Sequence, residues 1–149
     1  MNIREITLEE FLCLSNCQML ESGSDPFDSA AAFLPCVGPA IRELRSGYVL
    51  HELNYGRADV AILCGDQLAG FYAGPTLAVG RVHRGKHLST DMILEAVQHR
   101  PLPTSRIMSA AGKRALTRAW RVANHPVRVW LDDAVQSAVR ALRRGFRRR

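Results

Sequence analysis

Residues 76–100, which read TLAVGRVHRGKHLSTDMILEAVQHR, give the clearest indication of the fold of this chain. An apolar stretch around Leu77 predicts a strand, a basic loop runs from Arg81 to Lys86, and an amphipathic helix begins near Ser89. A strand that leads through a cationic loop into a helix is a general anion-binding arrangement. Free backbone N–H groups and the positive end of the helix dipole meet there at one spot. The stretch therefore predicts an α/β unit with an anion-binding loop.

The loop and the helix start, HRGKHLSTDMILEA, resemble the acetyl-CoA-binding motif of the GNAT superfamily of N-acetyltransferases. The family signature reads [Gln/Arg]-x-x-Gly-x-[Gly/Ala]. Arg84 fits its first position, whereas His87 replaces the central glycine and Ser89 the terminal Gly/Ala. Glycine there lets the backbone approach the pyrophosphate of coenzyme A, and a Cβ costs space and backbone freedom. The resemblance implies acetyl-CoA as the cofactor, contacted by Leu77, Val79, Arg84, Gly85, Lys86, His87, Leu88 and Ser89.

The order of the predicted elements is also similar to that of a GNAT fold. Periodicity and turn residues predict strands at residues 3–7, 48–53, 59–64, 67–73, 76–81, 106–108 and 127–131. They predict helices at residues 8–20, 26–33, 39–46, 90–99, 110–123 and 133–146. We expect the α/β (α+β) class, with a GNAT-like mixed, twisted sheet that is antiparallel in its first half and has helices on both faces.

The resemblance also implies where the cofactor lies. In the family it occupies a splay between the fourth and fifth strands, which correspond here to residues 76–81 and 106–108. We expect this splay to be open, with the backbone N–H groups of residues 85–89 facing it and Arg84 and Lys86 at its rim, which favours an enzyme. A splay that is filled, or plugged by His87, favours a protein without catalytic activity.

Few residues suit the chemistry of acetyl transfer, which needs a base for the amine and a proton donor for the leaving thiolate. Family members commonly take the donor from a tyrosine on the helix after the fifth strand. Thr117 stands at that position, and all three tyrosines precede the motif. Glu52 lies on a predicted strand where the family often places a carboxylate, although an ordinary solvated strand residue fits as well. The catalytic candidates are therefore Glu52 and Thr117.

The net charge of +6 lies entirely at the end of the chain. We expect a GNAT-like domain at residues 1–132 and an arginine-rich C-terminal helix or tail at residues 133–149. Its arginines are Arg140, Arg143, Arg144, Arg147, Arg148 and Arg149. Arginine favours bidentate contacts with phosphate or carboxylate, so nucleic acid or an acidic protein surface is the expected partner. The alternative is a terminal helix docked on the domain by Val135, Val139, Leu142 and Phe146, with solvated arginines.

The remaining composition indicates neither a metal site nor a membrane partner. The four cysteines form no Cys-x-x-Cys pair and are expected to be buried, reduced thiols of a cytoplasmic protein. The longest uncharged stretch, residues 67–80, is too short to span a membrane.

Two functions remain open. One is an acyl-CoA-dependent N-acetyltransferase with an atypical phosphate-binding loop and an unknown acceptor. The other is a catalytically inactive GNAT-like structural or assembly protein, for example of a phage particle, that binds protein partners or nucleic acid through its basic tail. The Arg84-Gly85-Lys86 run in its strand–loop–helix context favours the first, while His87 and the missing tyrosine favour the second.

Overall fold

A computed structural model describes residues 1–20 and 31–147 of the chain, with only the backbone at residues 31 and 32. Its six strands are β1 (Gln18–Met19), β2 (Val37–Glu43), β3 (Tyr48–Leu53), β4 (Val60–Cys64), β5 (Gln67–Ala73) and β6 (Thr76–Val79). The α-helices of the described part are α1 (Leu8–Cys13), α2 (Leu88–Ala96), α3 (Ala110–Asn124) and α4 (Pro126–Phe146). The α/β class with a mixed sheet is confirmed.

The six strands form one sheet in the order β1-β6-β5-β4-β3-β2. Each pair of neighbouring strands between β2 and β6 is antiparallel, whereas β1 pairs with β6 in parallel. Tight turns join β4 to β5 and β5 to β6. Gly65 and Gly74 take positive φ angles of 58° and 54° in these turns, a conformation that glycine adopts at little cost.

The main core lies between the sheet and the helices α1, α2 and α3. It is built around Phe11 of α1, Ile62 and Tyr72 of the sheet, Met92 of α2 and Leu116 of α3. A smaller apolar cluster on the other face includes Phe71 and is completed by Leu20 and Phe33. The α-helices of the described residues contribute to the first cluster only, whereas Phe33 and Cys36 of the 3₁₀-helix Ala31–Cys36 pack on the second, so helical segments lie on both faces as expected. The predicted helix at residues 26–33 falls largely outside the described residues.

The N-terminal elements differ from the prediction. Residues 3–7 are not a strand; a capping box between Thr7 and Glu10 ends this segment and starts α1. The predicted helix at residues 8–20 stops at Cys13, because Gln18 and Met19 pair with Thr76 and Leu77 as β1.

A strand also replaces the helix predicted at residues 39–46. Strand β2 covers residues 39–43 of this stretch and pairs with β3 through two register shifts, and a short 3₁₀-helix follows at Arg45–Gly47. Proline lacks the N–H that a central strand needs, so Pro39 is tolerated here because β2 lies at the edge of the sheet.

Two predicted strands near the C-terminus are wrong or reduced. Residues 106–108 provide a single bridge, from Met108 to Cys17. Residues 127–131 are helical, since Pro126 occupies the first turn of α4, where its missing N–H is harmless. The C-terminal helix thus begins at Pro126 and not at residue 133. Among the helices described, none is long and apolar enough to cross a membrane.

Candidate functional site

The splay expected between residues 76–81 and 106–108 is filled by residues 17–20 of the chain itself. On the β6 side, the N–H of Gln18 donates to the carbonyl of Pro75 at 2.7 Å, and the N–H of Leu20 donates to the carbonyl of Leu77 at 3.1 Å. On the other side, the N–H of Cys17 donates to the carbonyl of Ile107 at 3.0 Å, and the carbonyl of Cys17 accepts from the N–H of Ser109 at 3.1 Å. We call residues 17–20 the inserted segment. The expectation of an open splay is therefore wrong.

The inserted segment packs against the first turn of α3. The hydroxyl oxygen of Ser109, the N-cap residue, accepts from the N–H groups of both Gly112 and Met19 at 3.0 Å. A Cβ at Gly112 would lie 1.8 Å from the carbonyl oxygen of Cys17, so only glycine permits this approach. The N-cap and the glycine together hold the inserted segment against the helix.

Cys17 is a structural residue of this segment. All four cysteines of the chain are free thiols, but Cys17 alone is fully buried, and Cys13 is exposed, contrary to the expectation for it. Burial raises the pKa of Cys17 to about 12. The thiol therefore stays protonated at neutral pH and is a poor nucleophile.

The predicted phosphate loop keeps the backbone course of a glycine-rich loop. Gly85 and His87 have φ angles of 79° and 61°, in the left-handed region that favours glycine. His87 thus stands at the central glycine of the family motif and takes the conformation that a glycine would adopt there. It also serves as the N-cap residue of α2, without a side-chain cap bond.

The imidazole of His87 points toward the C-terminal helix. Its Nε2 lies 3.9 Å from an Asp133 oxygen. Burial and the nearby Arg118 guanidinium lower the pKa of His87, so the ring is neutral at pH 7 and this contact is not an ion pair. His87 therefore places a neutral, bulky ring next to the loop.

The loop retains the donors that an anion needs. The backbone N–H groups of residues 85–89 have no hydrogen-bond acceptor in the described part of the chain. Arg84 and Lys86 are exposed beside them. Arg45, which follows β2, holds the loop in place. Its guanidinium donates to the Lys86 carbonyl, and it donates to the Asp91 carboxylate at 3.0 Å. These groups can bind an anionic group at the surface.

The other residues predicted to bind the cofactor are more buried. Leu77 is fully buried, and its carbonyl already accepts from Leu20. Val79 is half-buried, and its carbonyl accepts from the Arg84 side chain at 3.5 Å. Leu88 is buried in the main core and Ser89 is half-buried in the first turn of α2. The loop and β6 are thus adjacent, as expected. The edge of β6 that could bind a ligand through its backbone is already paired with the inserted segment.

The two catalytic candidates are not brought together. Glu52 is exposed on β3 and lines a cavity of about 550 Å³ beside Glu95 and His99. Thr117 lies on α3, donates its hydroxyl hydrogen to the Lys113 carbonyl at 2.8 Å, and lines a different cavity of about 410 Å³. A base and an acid that serve one substrate must reach the same reacting atoms, and this placement does not provide that.

A buried ion pair that the sequence reasoning missed fixes the opposite end of β6. The Arg100 guanidinium donates to Asp59 at 3.1 Å, to the Tyr72 carbonyl at 2.8 Å and to the Gly74 carbonyl at 2.7 Å. It also lies 3.6 Å from the centre of the Tyr72 ring, a cation–π contact. Beside it is a cavity of about 400 Å³ that includes Ser15, whose buried hydroxyl has no partner among the described residues.

The arginine-rich helix does not dock by its apolar side chains. Val135, Val139, Leu142 and Phe146 are all exposed, so the alternative of a stripe packed on the domain is wrong. The helix is attached instead by Asp133, whose two oxygens accept from the Arg118 guanidinium at 3.1 and 2.7 Å. These bonds lower the pKa of Asp133. Of the six arginines, Arg140, Arg143, Arg144 and Arg147 are exposed, while Arg148 and Arg149 lie outside the described residues.

Sequence reasoning therefore found the loop and missed the inserted segment. One signal was present: glycine is a weak helix former, yet Gly112 stands in the first turn of a helix that is otherwise rich in alanine, which indicates a close backbone approach. No family model matches the chain, and neither a curated protein nor a solved structure does.

Proposed function

We propose that this chain is a non-catalytic binding protein with a structural or assembly role, similar to GNAT enzymes in its phosphate loop but without their use of acetyl-CoA. The inserted segment carries this proposal. It joins β6 to the segment before α3 through four backbone hydrogen bonds, where an enzyme of the family needs an open splay. A ligand seated there would have to displace these bonds, including those of the buried Cys17, and leave their donors and acceptors unpaired.

The chemistry of the surrounding residues supports the same proposal. The Cys17 thiol is protonated, the Thr117 hydroxyl is engaged by its own helix, and Glu52 lines a separate cavity. None of these groups is placed to assist acetyl transfer at the loop.

The surface of α4 supports a binding role. Its apolar side chains are exposed along most of the helix, and five described arginines accompany them: Arg128, Arg140, Arg143, Arg144 and Arg147. Exposed apolar patches of this extent mark interaction sites in proteins that fold as single chains. The binding surface is thus α4, with the arginines available to an acidic protein surface or a nucleic acid.

An acyl-CoA-dependent N-acetyltransferase is the second candidate function, and one observation favours it. The free N–H groups of residues 85–89, beside Arg84 and Lys86, retain the donors that bind a pyrophosphate in the family. This candidate requires residues 17–20 to leave the splay before acetyl-CoA enters.

Calorimetric titration with acetyl-CoA, run on the native chain and on His87→Gly, separates the two functions. We expect no binding in either case. The variant restores the family's glycine in the loop and relieves a positive φ angle, but it leaves the inserted segment in place. Thermal unfolding by circular dichroism serves as the control that both proteins are folded.

Two results contradict the proposal. Binding by the native chain, accompanied by release of free thiol with an amine acceptor, identifies an acetyltransferase. Binding by His87→Gly alone shows that the imidazole, and not the inserted segment, excludes the cofactor.

A further inference from the structure

Helix α4 turns its apolar face away from the rest of the protein. Among its residues only Val129 and Asp133 are half-buried, and all others are exposed. These two residues are four apart and share one face of the helix. At about 100° per residue, the apolar side chains project from roughly the opposite face. The domain therefore holds α4 by its polar side and leaves the apolar side uncovered.

The uncovered face is long and rich in large side chains. The exposed fractions are 70% at Val127, 67% at Trp130, 51% at Leu131, 61% at Val135, 37% at Val139, 65% at Leu142 and 80% at Phe146. A helix of 21 residues extends for about 31 Å. Trp130 projects to one side of this face. In a pair of such helices, the two Phe146 rings, at about 150–250 Å² each, and the aliphatic side chains together supply much of the roughly 1,000 Å² that a stable interface needs.

The charges beside this face are divided between the two halves of the helix. Both acids, Asp132 and Asp133, lie in the first half together with Arg128, whereas Arg140, Arg143, Arg144 and Arg147 lie in the second. A second copy in parallel orientation would set arginine against arginine. In antiparallel orientation, Asp132 of each copy faces Arg143 of the other, so the favourable pair occurs twice.

The apolar side chains also match in the antiparallel orientation. Reversing the helix about the point between residues 136 and 137 sets Val127 opposite Phe146 of the second copy and Leu131 opposite Leu142. The apolar stripe is therefore nearly complementary to itself.

We propose that two copies of this chain associate through their α4 helices, packed antiparallel along the apolar face. An anionic membrane fits the same face less well, because the carboxylate of Asp132 borders the apolar side chains and is repelled by anionic headgroups. This inference rests on the proposed function in taking α4 as the binding surface. The two fail separately: acetyl-CoA binding overturns the proposed function, and a monomeric chain overturns the inference.

Sedimentation equilibrium of the full chain tests the pairing, with Asp132→Arg, Arg143→Asp and the double variant that exchanges the two charges. We expect the native chain to dimerise and each single variant to weaken the dimer about tenfold or more, because each puts like charges together twice. The exchanged double variant should regain affinity to within a few-fold of the native chain. Arg147→Asp, the same charge change on the polar side of the helix, is the matched control and should differ little.

A native chain that stays monomeric at every concentration overturns the inference. A monomer that floats with phosphatidylserine-containing vesicles assigns the face to a membrane instead. A dimer that single variants weaken, but the double variant fails to restore, contradicts the antiparallel orientation. Residues 132 and 143 are exposed, so far-UV circular dichroism should show all variants folded.

Discussion

Replacing Gly112 with alanine will destabilise the protein by about 3 kcal/mol. The added Cβ would lie 1.8 Å from the carbonyl oxygen of Cys17 and 2.6 Å from its carbonyl carbon. The clash is with backbone, which cannot rotate away as a side chain can. Either α3 or the inserted segment must shift, and the hydrogen bonds of Cys17 and Ser109 weaken with it. Urea unfolding followed by tryptophan fluorescence measures the loss.

Gly145→Ala is the matched control for this prediction. Gly145 also lies in a helix, but a Cβ there meets nothing within 4 Å. Alanine is the better helix former by about 1 kcal/mol, so this variant should be neutral or slightly more stable. If the two alanine variants unfold at the same urea concentration, the inserted segment does not pack against α3 as described.

Replacing Arg100 with methionine will cost about 3–5 kcal/mol, because it leaves a buried carboxylate without its cation. The side chain of Asp59 is only 4% exposed, and Arg100 is its ion-pair partner at 3.1 Å. The same substitution removes donors to the carbonyls of Tyr72 and Gly74 and the cation–π contact with the Tyr72 ring. The free energy of unfolding in urea at neutral pH gives the measurement.

The control is Arg42→Met, which breaks an ion pair of the same length at the surface. Arg42 lies 3.1 Å from Glu95, but its side chain is 45% exposed, and such pairs contribute at most about 1 kcal/mol. Equal losses in the two variants would show that the Asp59–Arg100 pair is solvated in solution, contrary to its burial in the structure.

The spacing of apolar residues and the positions of glycines predicted the helices and strands that form from residues close together in the sequence. The apolar spacing of α2 and α3 and the glycine turns around β4, β5 and β6 gave those elements within a few residues. In contrast, β1 is two residues long and pairs with β6 across more than fifty residues of chain. No local pattern encodes such a pairing, so the residues that fill the splay were placed in a helix.

Two further errors have physical causes in particular residues. Pro39 suggested a helix start, yet an edge strand tolerates proline equally well. Val127, Val129 and Leu131 alternate with polar or aromatic neighbours, which imitates a strand. The alternation misleads because most of α4 is exposed. The spacing of apolar residues distinguishes a helix from a strand only where one face of the element is buried.

The candidate site was predictable in its loop but not in its surroundings. Arg84, Gly85 and Lys86 precede α2 as expected, and His87 occupies the glycine-type position that the motif assigned to it. The attachment of α4 depends on Asp133 reaching Arg118, a contact between two helices that neither periodicity nor composition indicates.

Amide hydrogen exchange at Gln18 and Leu20, measured by NMR with and without acetyl-CoA, tests whether the inserted segment closes the splay to the cofactor. The N–H of Gln18 donates to the Pro75 carbonyl in the β5–β6 turn, and the N–H of Leu20 donates to the Leu77 carbonyl in β6. We therefore predict slow exchange at both amides, which acetyl-CoA leaves unchanged. Fast exchange at these two amides in the free protein, or loss of their protection on adding acetyl-CoA together with shifted signals at Leu77 and Val79, would contradict it.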